Sequence, residues 1–236
     1  MLLRKALTVV IPNKNEGLQL FYCLNSINNQ KNISALNVII ADNSDKGKEP
    51  TIDPSDFQNL NIKVIKGGLP AYGRFVGSIE VETPYVLFLD ADMILLHPYL
   101  LSDIFDKYEG KFDLLTIPFR TDKKWDWCYR FFDWTQFLIH KIAGHPFAIG
   151  GFQLFKTSAY WAIGGYNPFQ EFAEDYSISL KIKPKRFIVF NHKFGVWTSP
   201  RRFQNKGIWY MVKLMALTYL NRNNPNWFKK SHGYWS

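Results

Sequence analysis

Cysteine is nearly absent: two residues in 236, Cys23 and Cys128, far apart and in no C-x-x-C arrangement. Neither a disulfide framework nor a zinc site is indicated, and a reducing compartment fits. Long apolar runs are missing too. The longest, GIWYMVKLMALTYL from Gly207 to Leu220, is broken by Lys213 and falls short of the ~20 residues needed to span a bilayer. The opening MLLRKALTVVIP is too short and too soon interrupted for a signal peptide. The chain is therefore expected to be cytoplasmic, or to lie on the inner face of a membrane without crossing it. No G-x-x-x-x-G-K-[ST] loop occurs, and DKGKEP and KGGLPAYG do not match it, so a P-loop NTPase falls away. Repeats, low-complexity tracts and an obvious interdomain linker are also lacking.

What is present is apolar, aromatic and basic. Hydrophobic residues make up 47% and charged ones 21%, a globular balance. Aromatics reach 17% with eight tryptophans, which suggests stacking surfaces or a membrane-facing patch. Lys and Arg outnumber Asp and Glu 29 to 20, a formal charge of +9 that favours polyanionic partners: nucleic acid, nucleotide phosphates or an acidic bilayer.

The first half alternates regularly. LTVVI (Leu7–Ile11), NVIIAD (Asn37–Asp42), NIKVIK (Asn61–Lys66) and YVLFLD (Tyr85–Asp90) read as strands. Between them, Leu18, Phe21, Leu24 and Ile27 can share one helical face, and AYGRFVGSIEV is a second helix candidate. This rhythm predicts an α/β fold with a mostly parallel sheet flanked by helices. In such sheets ligands bind beyond the carboxyl ends of the strands, where Asp42, Asp90 and the loop after Pro12 fall. The second half offers strands in DLLTIPF, FAIGGFQLFK and RFIVF, an aromatic helix in KWDWCYRFFDWTQFLIHKIAG, and a helix in AEDYSISLKIK. Residues 1–200 are expected to form the main domain, with 201–236 a helical extension packed on it.

Asp90-Ala91-Asp92 carries the sharpest signal. Residues two apart along a strand face the same way, so two carboxylates stand together where an apolar run ends. Like charges this close raise one pKa unless a cation intervenes, and magnesium or manganese held by one or two carboxylates and substrate phosphates is such a cation. Asn13 and Glu16 have capping-box spacing, compatible with ligand contact at a helix start. Asp42-Asn43-Ser44 offers acceptors at the height of a base or ribose. Gly68 lies in the stretch GGLPAYGRFVG, where glycines let backbone approach a ligand and Arg74 can reach a diphosphate or the acidic pair. Glu174-Asp175 opens a helix and suits a general base; Arg201 and Arg202 are paired forks suited to phosphate. His140 and His145 are poorly spaced for a metal, and His192 is an outside candidate for a third ligand.

In this order the pieces resemble a family 2 glycosyltransferase of the GT-A fold. VVIPNKNE is similar to the family's P-x-x-N-E opening, IIADNSD to its D-[DN]-x-S loop, and GRFVGSIEVETPYVLFLDAD to its G-R-x-x-G…D-x-D segment. The stretch from Gly150 to Ile182 resembles the acceptor side that ends in Glu-Asp. The resemblance implies that Pro12, Asn13, Asn15 and Glu16 line the nucleotide pocket and that Asp42, with Asn43, meets the base. It implies that Arg74 steadies the acidic segment, that Asp90 faces the ribose or the metal with Ala91 on the donor side, and that Asp92 binds Mg2+ or Mn2+ directly. Asp175 becomes the catalytic base and Glu174 its neighbour on the acceptor side. Gly77 replaces a small asparagine, an expected loosening of that turn. Q-x-x-R-W and membrane spans of polymerising members are absent, so transfer of a single sugar is expected. The implied partners are a nucleotide-sugar donor and a glycan, lipid-linked or protein acceptor.

Two other classes compete. A nucleotidyltransferase also builds α/β sheets with paired acids, but PNKNEG is thin for its triphosphate loop. A nucleic-acid module would interleave basic and aromatic residues, as KKWDWCYRFF does, yet acids within that stretch and the acidic pair argue for no nucleic acid. The aromatic helix near Trp125–Phe137 and the terminal helix, flanked by Lys and Arg, are candidates for a bilayer interface.

Overall fold

Val9 and Val10 belong to different cores, because successive side chains in the first strand point to opposite faces and both faces are covered. That strand, β1 (Leu7–Asn13), runs on through Pro12. In the computed structural model, which describes residues 3–191 and 195–234 (Arg4 by its backbone only), it is followed by α1 (Gly17–Asn28), β2 (Leu36–Asp42), β3 (Leu60–Lys66), α2 (Pro70–Ile79) and β4 (Tyr85–Leu89). Then come β5 (Met93–Leu95), α3 (Leu100–Tyr108), β6 (Leu114–Thr116), β7 (Phe119–Arg120), α4 (Asp126–Ala143), β8 (Phe152–Lys156), α5 (Thr157–Ala162) and α6 (Glu174–Ser179). The chain closes with β9 (Phe187–Val189), β10 (Val196–Thr198), α7 (Arg201–Lys206) and α8 (Ile208–Leu220).

A seven-stranded sheet in the order β3-β2-β1-β4-β8-β6-β9 forms the centre. It is mostly parallel, as expected; only β8 runs against its neighbours β4 and β6. A small sheet, β5-β10-β7, stands beside it. One core packs α1 and α3 through Leu20, Leu24 and Ile104 against Val9 and Leu87. The other packs Phe88 among Phe155, Tyr160 and Tyr166, with ring centroids 5.0–6.0 Å apart.

Three local expectations need correction. On α1 the buried residues are Leu20, Cys23, Leu24 and Ile27, whereas Leu18 and Phe21 are exposed; the sheet takes the stripe that includes Cys23. No capping box opens α1, because Asn13 lies in β1 and Glu16 makes no side-chain cap. Gly77 does not loosen a turn. It lies inside α2, where an added Cβ would come within 2.3 Å of Val10 Cγ1. Its missing side chain lets the helix approach β1. Gly77→Ala is therefore expected to cost about 1–3 kcal/mol through overpacking, read as a lowered urea midpoint; an unchanged midpoint would contradict this packing.

α3, α5 and α7 are helices that periodicity did not single out. The helix expected over AEDYSISLKIK is only six residues long.

Candidate active site

The ends of β1 and β2 lie level, with Asn13 opposite Asp42. Asn13 Nδ2 donates to Asp42 Oδ1 at 2.7 Å, and the Ser44 hydroxyl donates to the same oxygen at 2.7 Å. The Asn15 N–H donates to Ser44 Oγ at 2.9 Å, and Asn15 exchanges side-chain and backbone hydrogen bonds with Asp45. Asn15 has φ +59°, a left-handed conformation that asparagine tolerates better than most residues. Asn43 donates its N–H to Asn13 O at 2.9 Å. Pro12, Asn13, Asn15, Asp42 and Asn43 thus form one polar shelf. Of the neighbouring glycines, Gly67 is the one the backbone requires: a Cβ there would sit 2.4 Å from Ala41 O, while one at Gly68 would meet only the movable Tyr72 ring.

Asp90, Ala91 and Asp92 form a tight turn after β4 rather than the end of a strand. The Met93 N–H donates to Asp90 O at 3.1 Å, and Ala91 is buried in the core between the two acids. Burial, then the charge of Asp90, pushes the Asp92 carboxyl up to about 6, against the pull of Arg201 and Arg202. These arginines arrive through the small sheet: Thr198 of β10 lies opposite Met93, so the following residues return beside Asp92. Arg201, in the first turn of α7, donates through Nη1 to Glu16 Oε2 at 2.8 Å and through Nη2 to Glu16 Oε1 and, at 3.5 Å, to Asp92 Oδ2. Arg202 stacks 4.4 Å from the Tyr234 ring centroid and lies close enough to feel Asp92 and Asp90. The pair converges on the acidic turn from the first turn of α7.

Arg74 joins the two halves of the site. It is 2% exposed on α2; Nη2 donates to Asp90 Oδ1 at 2.6 Å and Nη1 to Glu174 Oε1. Burial opposes its charge, yet Asp90, Tyr166, Glu174 and Asp175 together hold its pKa above the ordinary arginine value. Glu174 is buried in this ion pair, and Asp175 beside it is only partly buried. Asp175 Oδ2 accepts the Gly150 N–H at 2.7 Å and Oδ1 its neighbour Tyr176's at 2.8 Å, which fixes the carboxylate plane. Burial, then the Glu174 charge, pushes its carboxyl up to about 7. Ala173, which precedes the pair, has φ +46°, a strained conformation of the kind held at functional sites.

Sequence reading missed the groups behind this cluster. Gln153, fully buried on β8, donates to Asp175 O at 3.1 Å and accepts from the Tyr166 hydroxyl. A Cβ at Gly150 would press on both Arg74 and Asp175, about 3 Å from each. A buried glutamine in a strand breaks the apolar pattern, and that was the available signal.

Among the described residues no three His, Cys, Asp or Glu side chains are grouped to hold a metal, and His192 lies outside them. The donor set still fits a hard divalent cation: Arg74 occupies one Asp90 oxygen, and Asp92 is a partly buried carboxylate whose charge Asp90 disfavours. Magnesium and manganese need only one or two carboxylates when substrate phosphates complete the shell.

The sequence profile of glycosyl transferase family 2 matches residues 8–164. No curated protein matches. Among solved structures, Staphylococcus aureus TarS superposes with a TM-score of 0.60 at 18% identity, over 92% of this chain and 40% of that one. TarS 1-349 in complex with UDP-GlcNAc gives 0.61 at 16%, over 92% and 72%. The mannosyltransferase PcManGT from Pyrobaculum calidifontis, in complex with GDP-Man and Mn2+, gives 0.63 at 16%, over 98% and 69%. The match covers 40% of the length of the first of these TarS chains. With the profile covering most of the sheet and the acidic turn, this chain belongs to glycosyl transferase family 2 and has the GT-A fold.

Proposed function

We propose that this protein moves a single sugar from a nucleoside-diphosphate sugar to an acceptor hydroxyl with inversion at the anomeric carbon. The observation that carries the reading is the Arg74 bridge. One buried guanidinium ties Asp90, on the donor turn, to Glu174, the neighbour of Asp175. Donor and acceptor groups are thereby held in one rigid cluster, the positioning that makes transfer effectively unimolecular. The complexes of TarS 1-349 with UDP-GlcNAc and of PcManGT with GDP-Man support the donor class.

The polar shelf of Asn13, Asn15 and Asp42 receives the nucleoside. Glu16, Arg201 and Arg202 stand on the diphosphate side, where guanidinium forks offset the charge of the leaving group. Asp90 and Asp92 would hold Mg2+ or Mn2+, which when bound supplies Lewis-acid stabilisation to the departing diphosphate. Asp175 accepts the proton of the acceptor hydroxyl. The acceptor oxygen then forms the new bond to the anomeric carbon on the face opposite the diphosphate, which leaves with the electron pair of its broken bond to the sugar. Glu174 stays paired with Arg74 and fixes the base.

Thermal stabilisation by nucleoside diphosphates and their sugars, with and without manganese, tests this reading. One nucleotide should shift Tm in a manganese-dependent way, since a ligand at about 100 times its Kd adds ~2.7 kcal/mol. Asp92→Asn should abolish the manganese-dependent part and lower turnover about 100-fold or more. If no nucleotide shifts Tm, or a chelator leaves turnover untouched, the donor assignment fails.

A further inference from the structure

α4 is only half used by the fold. Cys128, Phe132 and Gln136 face inward and are buried. Trp127, Arg130, Phe131, Trp134, Phe137 and Lys141 recur at three- and four-residue spacing on the opposite side and are all exposed, Trp127 and Trp134 by more than half. A contiguous aromatic face of this kind marks an interaction site rather than ordinary surface. α8 packs alongside, with Met211, Val212 and Met215 against the cluster of Cys128, Phe132 and Phe203, and leaves Trp209 82% exposed.

The charge around this face is mostly basic, with the exposed Asp122 ahead of Lys123 as the exception. Both acids of α4 are neutralised in ion pairs, Asp126 with Arg130 and Asp133 with Arg120. Lys123 and Lys124 precede the helix and Lys141 ends it, its ammonium 5.4 Å from the Phe137 centroid. Tryptophan and phenylalanine on one side of a helix with lysines at its ends match the boundary between acyl chains and anionic headgroups. Among the described residues no helix is long and apolar enough to cross a membrane, so the helix would lie in the surface.

We infer that the outer face of α4 docks this protein onto an anionic lipid bilayer. The opposite side of α4 borders the acidic turn: the Tyr129 hydroxyl donates to Ser199 O at 3.2 Å and, besides burial, the charge of Asp92 raises its pKa. Docking therefore holds the site about one helix diameter, ~10 Å, from the lipid. The inference does not depend on which donor is used.

Sedimentation with vesicles tests it at low salt. The protein should pellet with vesicles containing phosphatidylglycerol and far less with pure phosphatidylcholine. The triple variant Trp127→Ser, Trp134→Ser, Phe137→Ser should lower partitioning at least about tenfold on anionic vesicles. Lys124→Glu with Lys141→Glu should lower it at least about 25-fold, since each basic residue near an anionic surface contributes about fivefold. Val64→Ser, an exposed apolar position on β3, should bind like the parent. All these side chains are exposed, so an unchanged Tm checks folding. Three outcomes overturn the inference: no binding to either vesicle, equal binding by the triple variant, or a solution dimer that the triple variant dissociates without any vesicle binding, which would assign the face to a second copy of the chain.

Discussion

Asp175→Asn is expected to lower transfer about 1,000-fold while leaving the nucleotide-dependent shift in Tm intact. A positioned general base contributes roughly 100- to 10,000-fold, and asparagine keeps the shape but cannot take the proton. The variant retains an oxygen for one of the two backbone donors, Gly150 or Tyr176, so the fold should persist. The wild-type pH profile carries a second signature. With the Asp175 carboxyl pushed up to about 7 by burial and Glu174, the base form fills only as pH rises through that value, and kcat/KM should fall about tenfold per unit on the acid side. The sign for stability is opposite. A carboxyl whose folded pKa lies above its unfolded value of about 3.8 costs stability as pH climbs from about 4 to about 7, because the unfolded chain releases the proton first. Asp175→Asn should therefore raise Tm at pH 8 relative to wild type and have little effect on it at pH 4. A variant that keeps full turnover would remove Asp175 from the mechanism; one that loses nucleotide binding with turnover would place it on the donor instead.

Arg74→Met is expected to be the most destabilising substitution in the site, costing about 3–5 kcal/mol. Removing one partner of a buried ion pair leaves the other charge without compensation, and here Glu174 is buried while Asp90 keeps its neighbour Asp92. For a domain of this size each kcal/mol is worth roughly 2–4 °C in Tm, so a fall of about 10 °C should appear in a thermal melt. Arg74→Lys should recover only part of it, because an ammonium cannot span Asp90 and Glu174 as the planar fork does. Combining Arg74→Met with Glu174→Gln should regain stability but not activity. If Arg74→Met melts within about 3 °C of wild type, the bridge does not hold the two acids.

The parallel strands were legible because burial on both faces demands runs such as VVI and NVIIA, and the acids that follow them stand out by contrast. Pro12 concealed that β1 continues to Asn13, for a residue without an N–H still fits where that side of the strand is not asked to donate. The face of α1 was misread because cysteine was not counted among its apolar residues. Short elements were the hardest to read: β5, β7 and β10 have two or three residues each, too few to display a period.

From the sequence alone came the sheet, the acidic turn with its flanking apolar runs, and the ordered motifs that resemble the family, all written in residues close together along the chain. Only the tertiary structure decided which acids share a cation. Arg74 lies 16 residues before Asp90 and 100 before Glu174, and Arg201 lies 185 after Glu16. Partners that far apart leave no spacing to read, because the sheet order and the return of β10 beside β5 set their distances, not the chain between them.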